Sequence, residues 1–213
     1  FLFLFEKSHI TVPSFLLPPV QHNKGNYIAS LANMCRWLGQ IAEGLGVEIY
    51  PGFAASEVLY DEEGKVRGVA TNDMGLDING NKKESYEPGI ELHAKVTVFA
   101  EGCRGHLGKQ LINKFELAKD SDPQQYGIGL KEIWEVPEDY HDEGLVFHSA
   151  GWPVDNNTYA GSFVYHAENR QIYLGYVVGL DYKNPYLSPF EEFQRFKTHP
   201  SIKKMLQGGK RIS

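Results

Sequence analysis

The sequence predicts an α+β fold, in which an α/β layer with inserted β-hairpins precedes an antiparallel sheet covered by helices on one side. Two patterns carry this prediction. Apolar residues recur at three- and four-residue steps between residues 28 and 45, which is typical of an amphipathic helix. Four strand-like runs then alternate with turn clusters between residues 126 and 180, which favours an antiparallel sheet.

Residues 1–24 are predicted to be a possible membrane-interface segment. The apolar run over residues 1–5 and the proline-rich run over residues 10–20 are both too short to span a bilayer. Two interpretations remain open. The runs form a buried strand with a connection, or they lie at a lipid headgroup boundary without crossing it.

Residues 25–122 are predicted to form the mixed layer. Its helix begins with Asn26 as N-cap and ends before Gly46, with Cys35 on the apolar stripe as a core residue. A glycine-bearing turn between the strand 92–100 and the helix 106–115 can present backbone amides to an anionic ligand. The other predicted elements of this part are a strand at 47–50, a hairpin of 54–60 with 65–71, and a long loop at 72–89.

Residues 123–213 are predicted to form the antiparallel sheet with its helices. The predicted strands are 126–136, 146–152, 159–166 and 172–180, and the predicted helices are 189–197 and 200–206.

Composition and charge exclude several classes of function. The chain has 213 residues, of which 42% are apolar and 23% charged, as in ordinary globular proteins. Its net charge is −6 and basic residues cluster only near Lys210 and Arg211, so no nucleic acid is expected as a partner. Cys35 and Cys103 are the two cysteines and have no CxxC spacing, which argues against a disulfide framework or a thiolate-held metal site within this chain.

Two segments have the residue types of a ligand site. The apolar strand ending in Glu101 and Gly102 resembles strand ends that pack against a flavin, although any buried strand before a glycine turn has this pattern. Small residues at 160–162 within an aromatic strand let a flat ligand approach the backbone, and a β-bulge gives the same letters. No P-loop, HExxH or GxGxxG motif occurs.

Taken together, several longer segments resemble one family, the electron transfer flavoprotein–ubiquinone oxidoreductases. These segments are residues 26–28, 47–52, 92–103, 126–132, 177–182 and 184–190. The resemblance implies an enzyme with FAD and one [4Fe–4S] cluster that takes electrons from electron transfer flavoprotein and passes them to ubiquinone. It also implies a monotopic protein on the matrix side of the inner mitochondrial membrane.

On this resemblance the chain is expected to be an internal fragment that is inactive alone. Residues 25–122 would be a partial FAD-binding domain, and residues 123–213 an incomplete ubiquinone-binding domain. The GxGxxG unit is expected before Phe1, and the cluster's cysteines after Ser213. A helix face at 26–45 would then be left exposed.

The resemblance also assigns residues. Glu101 and Gly102 match the family's flavin-facing strand end, while Tyr159, Ala160 and Gly161 match its quinone-contacting Tyr-Gly-Gly segment. Ala160 departs from that pattern and adds a methyl group where the quinone headgroup should approach, with strain if its φ is positive. No catalytic acid or base and no metal ligand is assigned.

Two other functions remain open at this point. One is a flavin-dependent reductase or hydroxylase of a prenyl lipid, which uses a similar pair of domains. The other is a non-catalytic module that binds a lipid-like ligand or a membrane surface.

Overall fold

A computed structural model describes residues 1–213. The chain divides into two compact units, which we call the sheet unit (residues 1–37 and 124–213) and the hairpin unit (residues 38–123). In chain order the elements are β1 (Leu2–Leu4), β2 (His9–Thr11), α1 (Leu31–Gly44), β3 (Ala55–Tyr60), β4 (Val66–Thr71), β5 (Met74–Leu76), β6 (Lys82–Glu87), β7 (Glu91–His93), α2 (His106–Lys114), β8 (Gly127–Glu135), β9 (Val146–Gly151), β10 (Ala160–His166), β11 (Gln171–Gly179), α3 (Pro189–Thr198), α4 (Pro200–Met205) and β12 (Lys210–Arg211).

The sheet unit is built on one seven-stranded sheet, in the order β12-β8-β11-β10-β9-β1-β2. Neighbouring strands are antiparallel except β1 and β9, which pair in parallel. The predicted large sheet with helices is therefore confirmed, and its four long strands begin and end within one residue of the predicted bounds. Strands β1 and β2 also lie in this sheet, although the sequence analysis treated residues 1–24 as a separate segment.

One face of the sheet is covered by α3. Ser188 caps this helix by accepting the Glu191 N–H, and Pro189 occupies the first helical position. Phe193 and Phe196 project from α3 onto Ile172 and the other inward residues of β11, and all three are almost fully buried. The opposite face of the sheet carries no such helix cluster.

Helix α1 begins later than predicted. Its first residue is Leu31, five positions after the predicted N-cap Asn26, because Ser30 accepts the Asn33 N–H and opens the helix there. The helix has no buried residue, and Cys35 is exposed. The prediction that Cys35 is a core residue is therefore wrong for this structure, whereas the exposed apolar face that was expected of this helix is present.

The hairpin unit contains the three-stranded sheet β3-β4-β7, the hairpin β5-β6 and helix α2. The predicted hairpin is confirmed, but no strand forms at 47–50, and the predicted strand 92–100 is reduced to β7. Val96 and Val98 are 79% and 82% exposed. A β-strand needs a neighbour for its backbone hydrogen bonds, and β7 pairs only with β4, over three residues.

No helix in the structure combines the length and the hydropathy needed to cross a membrane.

Candidate functional site

The segment Tyr159–Gly161 lies at the start of β10, one of the central strands of the seven-stranded sheet. Tyr159 is 84% exposed, and its carbonyl oxygen accepts the Gly179 N–H at 2.8 Å. Ala160 and Gly161 pair with Val178 and Val177 of β11. The three residues are therefore held on a rigid element while the Tyr159 ring remains accessible.

Ala160 and Gly161 point to opposite faces of the sheet, since side chains alternate along a strand. The Ala160 methyl packs against the buried cluster on the helix-covered face, and its φ is not positive. The structure thus places the Ala160 methyl on the face opposite to that of Gly161, without the strain of a positive φ. At Gly161 itself an added Cβ would lie 3.0 Å from the Ser149 carbonyl oxygen, so glycine fits the close approach of β9.

The open face of β10 continues from Gly161 through Phe163 to Tyr165. The Phe163 and Tyr165 rings are stacked, with centroids 5.1 Å apart. The Phe163 ring lies over Gly175 of β11, where any Cβ would collide with it. These contacts produce a flat aromatic surface beside Gly161, of the kind on which a planar ligand can lie.

A cleft of about 620 Å³ adjoins the far end of this surface. It is lined by the segment 14–29 on one side and by strands β9 and β10 on the other, including His148 and Tyr165. The His148 Nε2 and the Tyr165 hydroxyl are 3.2 Å apart, and the two rings meet edge to face. Burial lowers the pKa of His148 and raises the pKa of Tyr165. Both groups are therefore neutral at pH 7.

Sequence reasoning missed His148 and Tyr165. The alternation of residues along the predicted strand 159–166 could have placed Tyr165 on the same face as Gly161. His148 could not have been found in this way, because its position opposite Phe163 depends on the register of β9 against β10.

Glu101 and Gly102 lie in the hairpin unit, on the turn before α2. The Glu101 carboxylate accepts the Gly108 N–H at 2.7 Å and the Leu107 N–H at 3.3 Å. The expectation that this helix start offers free amides to an anion is therefore wrong here, because Glu101 already occupies them. Gly102 has φ +80° and open space around its Cβ position, which fits the close approach of a ligand to the backbone.

The residues present do not fit an iron–sulfur cluster. Such a cluster needs four thiolates or a comparable set, whereas Cys35 and Cys103 are both exposed, free thiols. No group of three or more His, Cys, Asp or Glu side chains in the structure could hold a metal ion.

Comparison with known proteins finds a family model that matches the second part of the chain and curated relatives that match nearly all of it. Residues 126–213 match the family model described as "ETF-QO, ubiquinone-binding". The chain is 58% identical over 208 residues to the electron transfer flavoprotein-ubiquinone oxidoreductase of Pseudomonas aeruginosa, covering 97% of this chain and 38% of that protein. It is 55% identical over 213 residues to the mitochondrial enzyme of that name from Homo sapiens, covering 99% of this chain and 34% of the relative. The chain thus spans little more than a third of these curated relatives.

A solved structure of a flavin-dependent brominase triple mutant has a similar fold. The TM-score is 0.55 at 17% sequence identity, covering 85% of this chain and 42% of the brominase chain. At this identity the similarity concerns the fold alone.

Proposed function

Because this chain belongs to the electron transfer flavoprotein–ubiquinone oxidoreductase family, we propose that it supplies the ubiquinone-binding part of such an enzyme. The observation that carries the proposal is the match of residues 126–213 to the ubiquinone-binding family model. The open face of β10 supports it, since Gly161 leaves the backbone accessible beside a flat aromatic surface. In the whole enzyme, electron transfer flavoprotein is the electron donor and ubiquinone the acceptor.

FAD and the [4Fe–4S] cluster belong to this proposal as groups of the whole enzyme. When bound, they supply the one- and two-electron chemistry that links the donor to the quinone. The open turn at Gly102 would approach FAD in the hairpin unit, while Glu101 holds the start of α2 in place. The cluster's ligands lie outside this chain.

The test uses a full-length family enzyme that carries this chain's sequence over the matching segment. Gly161→Leu places a bulky side chain on the open face, so we expect ubiquinone reduction to be lost while flavin reduction by the donor continues. Ala160→Gly is the matched control, because its methyl lies on the other face, and it should leave the KM for ubiquinone unchanged. Normal quinone turnover in Gly161→Leu would contradict the proposed site.

We further propose that residues 14–20 dock the protein on the membrane that contains ubiquinone. Phe15, Leu16 and Val20 are 78%, 65% and 89% exposed, and no residue in 14–20 is charged. Exposed apolar side chains of this kind insert into the headgroup boundary without spanning the bilayer. In a mitochondrion the corresponding location is the matrix side of the inner membrane.

Flotation with liposomes tests this docking. The double variant Phe15→Ser with Val20→Ser should reduce co-flotation several-fold, because it removes the two most exposed apolar side chains of the segment. Ile78→Ser is the control, since Ile78 is fully exposed but lies in the β5-β6 hairpin. Equal flotation of the double variant and the wild type would contradict docking through residues 14–20.

A further inference from the structure

The sheet unit contains an open cavity that lies apart from the proposed ubiquinone site. Residues of α3 and α4 and the Trp134 ring of β8 line it, and we call it the α3–α4 cavity. Its volume of about 780 Å³ is within the usual range for small-molecule sites. Trp134 packs against the buried cluster, so the cavity lies on the helix-covered side of the sheet, whereas Gly161 faces the other side. A ligand in this cavity would therefore leave the open face of β10 free.

One part of the cavity wall is apolar. Trp134, Pro200 and Leu206 form it, and both Trp134 and Leu206 also pack against the buried cluster of the sheet unit. This packing holds the two side chains in place, so the apolar wall exists before any ligand binds. The wall can bury an alkyl or aromatic group of a ligand.

The other part of the wall carries positive charge without a countercharge. Three lysines line the cavity, and one of them, Lys197, is neutralised by Glu132 at 2.8 Å. Lys203 and Lys204 are exposed and form no ion pair in the structure. No Asp or Glu side chain lines the cavity. The α3–α4 cavity thus presents two free ammonium groups beside an apolar wall.

The sequence concentrates positive charge in this part of the chain. Residues 193–213 contain six Lys or Arg residues and no Asp or Glu, although the whole chain has 27 acidic and 21 basic residues. Arg211 Nη1 also lies 3.5 Å from a carboxylate oxygen of Glu132, so two cations face this one carboxylate. The charges around the cavity are therefore positive in sum, which favours an anionic ligand.

Gln194 adds a hydrogen-bond donor that has no partner. Its side chain lines the cavity, and its Nε2 is buried without an acceptor in the structure. A buried amide N–H without an acceptor is unfavourable. Rotation of the Gln194 side chain into the cavity would pair this N–H with an oxygen atom of an anionic ligand, which would strengthen binding.

We propose that the α3–α4 cavity binds a phosphate monoester that carries an apolar group. At pH 7 such a monoester has about 1.5 to 2 negative charges, which match the two free ammonium groups of Lys203 and Lys204. Lysine binds phosphate as a point charge, whereas a carboxylate is best matched by the planar fork of arginine. The apolar group would lie against Trp134 and Leu206. A lipid with a phosphate headgroup and a soluble phosphate ester share this chemistry.

Calorimetric titration with octyl phosphate tests the charge match, in a full-length family enzyme that carries this chain's sequence over the matching segment. The double variant Lys203→Gln with Lys204→Gln should raise the Kd about 5- to 30-fold, because two partly screened ion pairs are lost. Lys82→Gln with Lys83→Gln is the matched control, since it removes the same charge from two adjacent, exposed lysines of β6. Its Kd should stay within about twofold of the wild type. No binding by the wild type, or an equal Kd in the first double variant, would overturn the inference.

A series of ligands tests the two parts of the cavity wall separately. Methyl phosphate keeps the charged head without the tail, and octyl glucoside keeps the tail with a neutral head. Each should bind at least about tenfold more weakly than octyl phosphate, because each lacks one of the two matched parts. Methyl phosphate binding as tightly as octyl phosphate would contradict the apolar contact, and equally tight binding of octyl glucoside would contradict recognition of the phosphate.

The ³¹P resonance of octyl phosphate reports directly on the contact with the lysines. The second pKa of the bound phosphate should lie below that of the free ester, because the ammonium groups stabilise the dianion. In Lys203→Gln with Lys204→Gln this difference should shrink. An equal pKa for free and wild-type-bound octyl phosphate would contradict the contact.

Flotation with vesicles distinguishes the two sources of the phosphate. Phosphatidic acid in phosphatidylcholine vesicles presents a phosphate monoester on a lipid. If the lipid is the ligand, it should increase co-flotation of the wild type and of the Lys82 and Lys83 control, but not of the Lys203 and Lys204 variant. If a soluble ester is the ligand, the increase should be equal in all three proteins, while the Lys203 and Lys204 variant still binds octyl phosphate more weakly. Gly161→Leu should leave octyl phosphate binding unchanged, so this inference stands or falls independently of the ubiquinone site.

Discussion

The sheet unit and the hairpin unit differ in how completely their own residues bury their apolar surface. In the sheet unit the residues that face α3 and α4 form one continuous buried cluster, which includes Leu174, Val178 and Phe196 at 0% exposure. In the hairpin unit the buried cluster consists of Val58, Leu107 and Leu111. The sheet unit therefore has a core of its own, whereas the hairpin unit has little.

Several apolar side chains of the hairpin unit are exposed. Leu45, Val96 and Val98 are 81%, 79% and 82% exposed. Exposed apolar side chains that lie together mark a surface that another part of a protein covers. Since the curated relatives are more than twice as long as this chain, we propose that their additional residues cover it. The following predictions test the contrast between the two units, from the largest expected effect to the smallest.

Removing a ring from the sheet unit's core should have the largest effect. Phe196→Ala leaves a cavity beside Tyr176, whose ring centroid is 5.6 Å away, and should cost about 3–5 kcal/mol of unfolding free energy. Phe115→Ala is the same change at a 43% exposed residue of the hairpin unit and should cost under about 1 kcal/mol. Urea unfolding followed by far-ultraviolet circular dichroism reports both units, and tryptophan fluorescence reports the sheet unit alone, because that unit contains Trp37, Trp134 and Trp152. Equal losses for both variants would contradict the contrast.

Acid should destabilise the sheet unit through His166. Burial, with a further contribution from His141, lowers the pKa of His166 to about 4. The unfolded chain therefore binds a proton near pH 6.5 that the folded chain does not, and stability falls as the pH drops from 6.5 towards 4. The loss should reach about 3 kcal/mol.

Urea titrations at several pH values measure this loss. His166→Asn is the matched variant, because its side-chain oxygen can still accept the Asp142 N–H that His166 Nδ1 accepts at 3.0 Å. This variant should lose most of the pH dependence between 6.5 and 4. A wild-type slope retained in His166→Asn would show that another group is responsible.

The buried ion pair between Glu132 and Lys197 should make a smaller contribution to the free energy of unfolding than His166. That contribution should be lost at a lower pH. Lys197 Nζ lies 2.8 Å from both Glu132 carboxylate oxygens, and Trp134 donates to one of them at 2.8 Å. Burial alone would raise the pKa of Glu132, but these hydrogen bonds and the positive charges lower it overall. The stabilisation is thus complete above the ordinary pKa of a glutamic acid and is lost as the pH falls through the lowered value.

Glu132→Gln tests this pair. It should destabilise the sheet unit by about 2 kcal/mol at pH 7, because the hydrogen bonds from Lys197 then lose their charged acceptor. The difference between variant and wild type should shrink on acidification below pH 4. A difference that stays constant down to pH 2 would exclude titration of Glu132 as its cause.

Polar substitutions at an exposed apolar residue of α1 and at Leu45, the first residue after that helix, should have the smallest effect. Ile41→Lys and Leu45→Lys replace residues that are 43% and 81% exposed, so each should change the unfolding free energy by less than about 0.5 kcal/mol in this chain. In a full-length family enzyme the same changes should be strongly destabilising if other residues cover these two side chains. Thermal unfolding of both proteins gives the comparison, and equal small effects in both would contradict the covering.

The same contrast explains which parts of the fold the sequence could predict. The strands β8 to β11 and helices α3 and α4 were predicted closely, because these segments pair and pack with one another within the chain. The strands at 47–50 and 92–100 were predicted from apolar runs, and the first did not form while the second formed only as β7. Strand formation needs a partner strand, which no local pattern reveals.

The candidate site was predictable in part. The family resemblance directed attention to residues 159–161, and alternation along β10 shows why Gly161 rather than Ala160 faces the open side. The pairing of His148 with Tyr165 depends on strand register, and the capping of α2 by Glu101 depends on the path of a turn. Neither follows from residue types at a fixed spacing.

The most direct test of a ubiquinone site in the sheet unit is hydrogen exchange of the chain with and without ubiquinone-1, followed segment by segment. Quinone binding should slow exchange in residues 159–166 and leave residues 38–123 unchanged, since the proposed site is formed by the sheet unit alone. Slower exchange confined to residues 38–123, or no change anywhere at saturating ubiquinone-1, would contradict it.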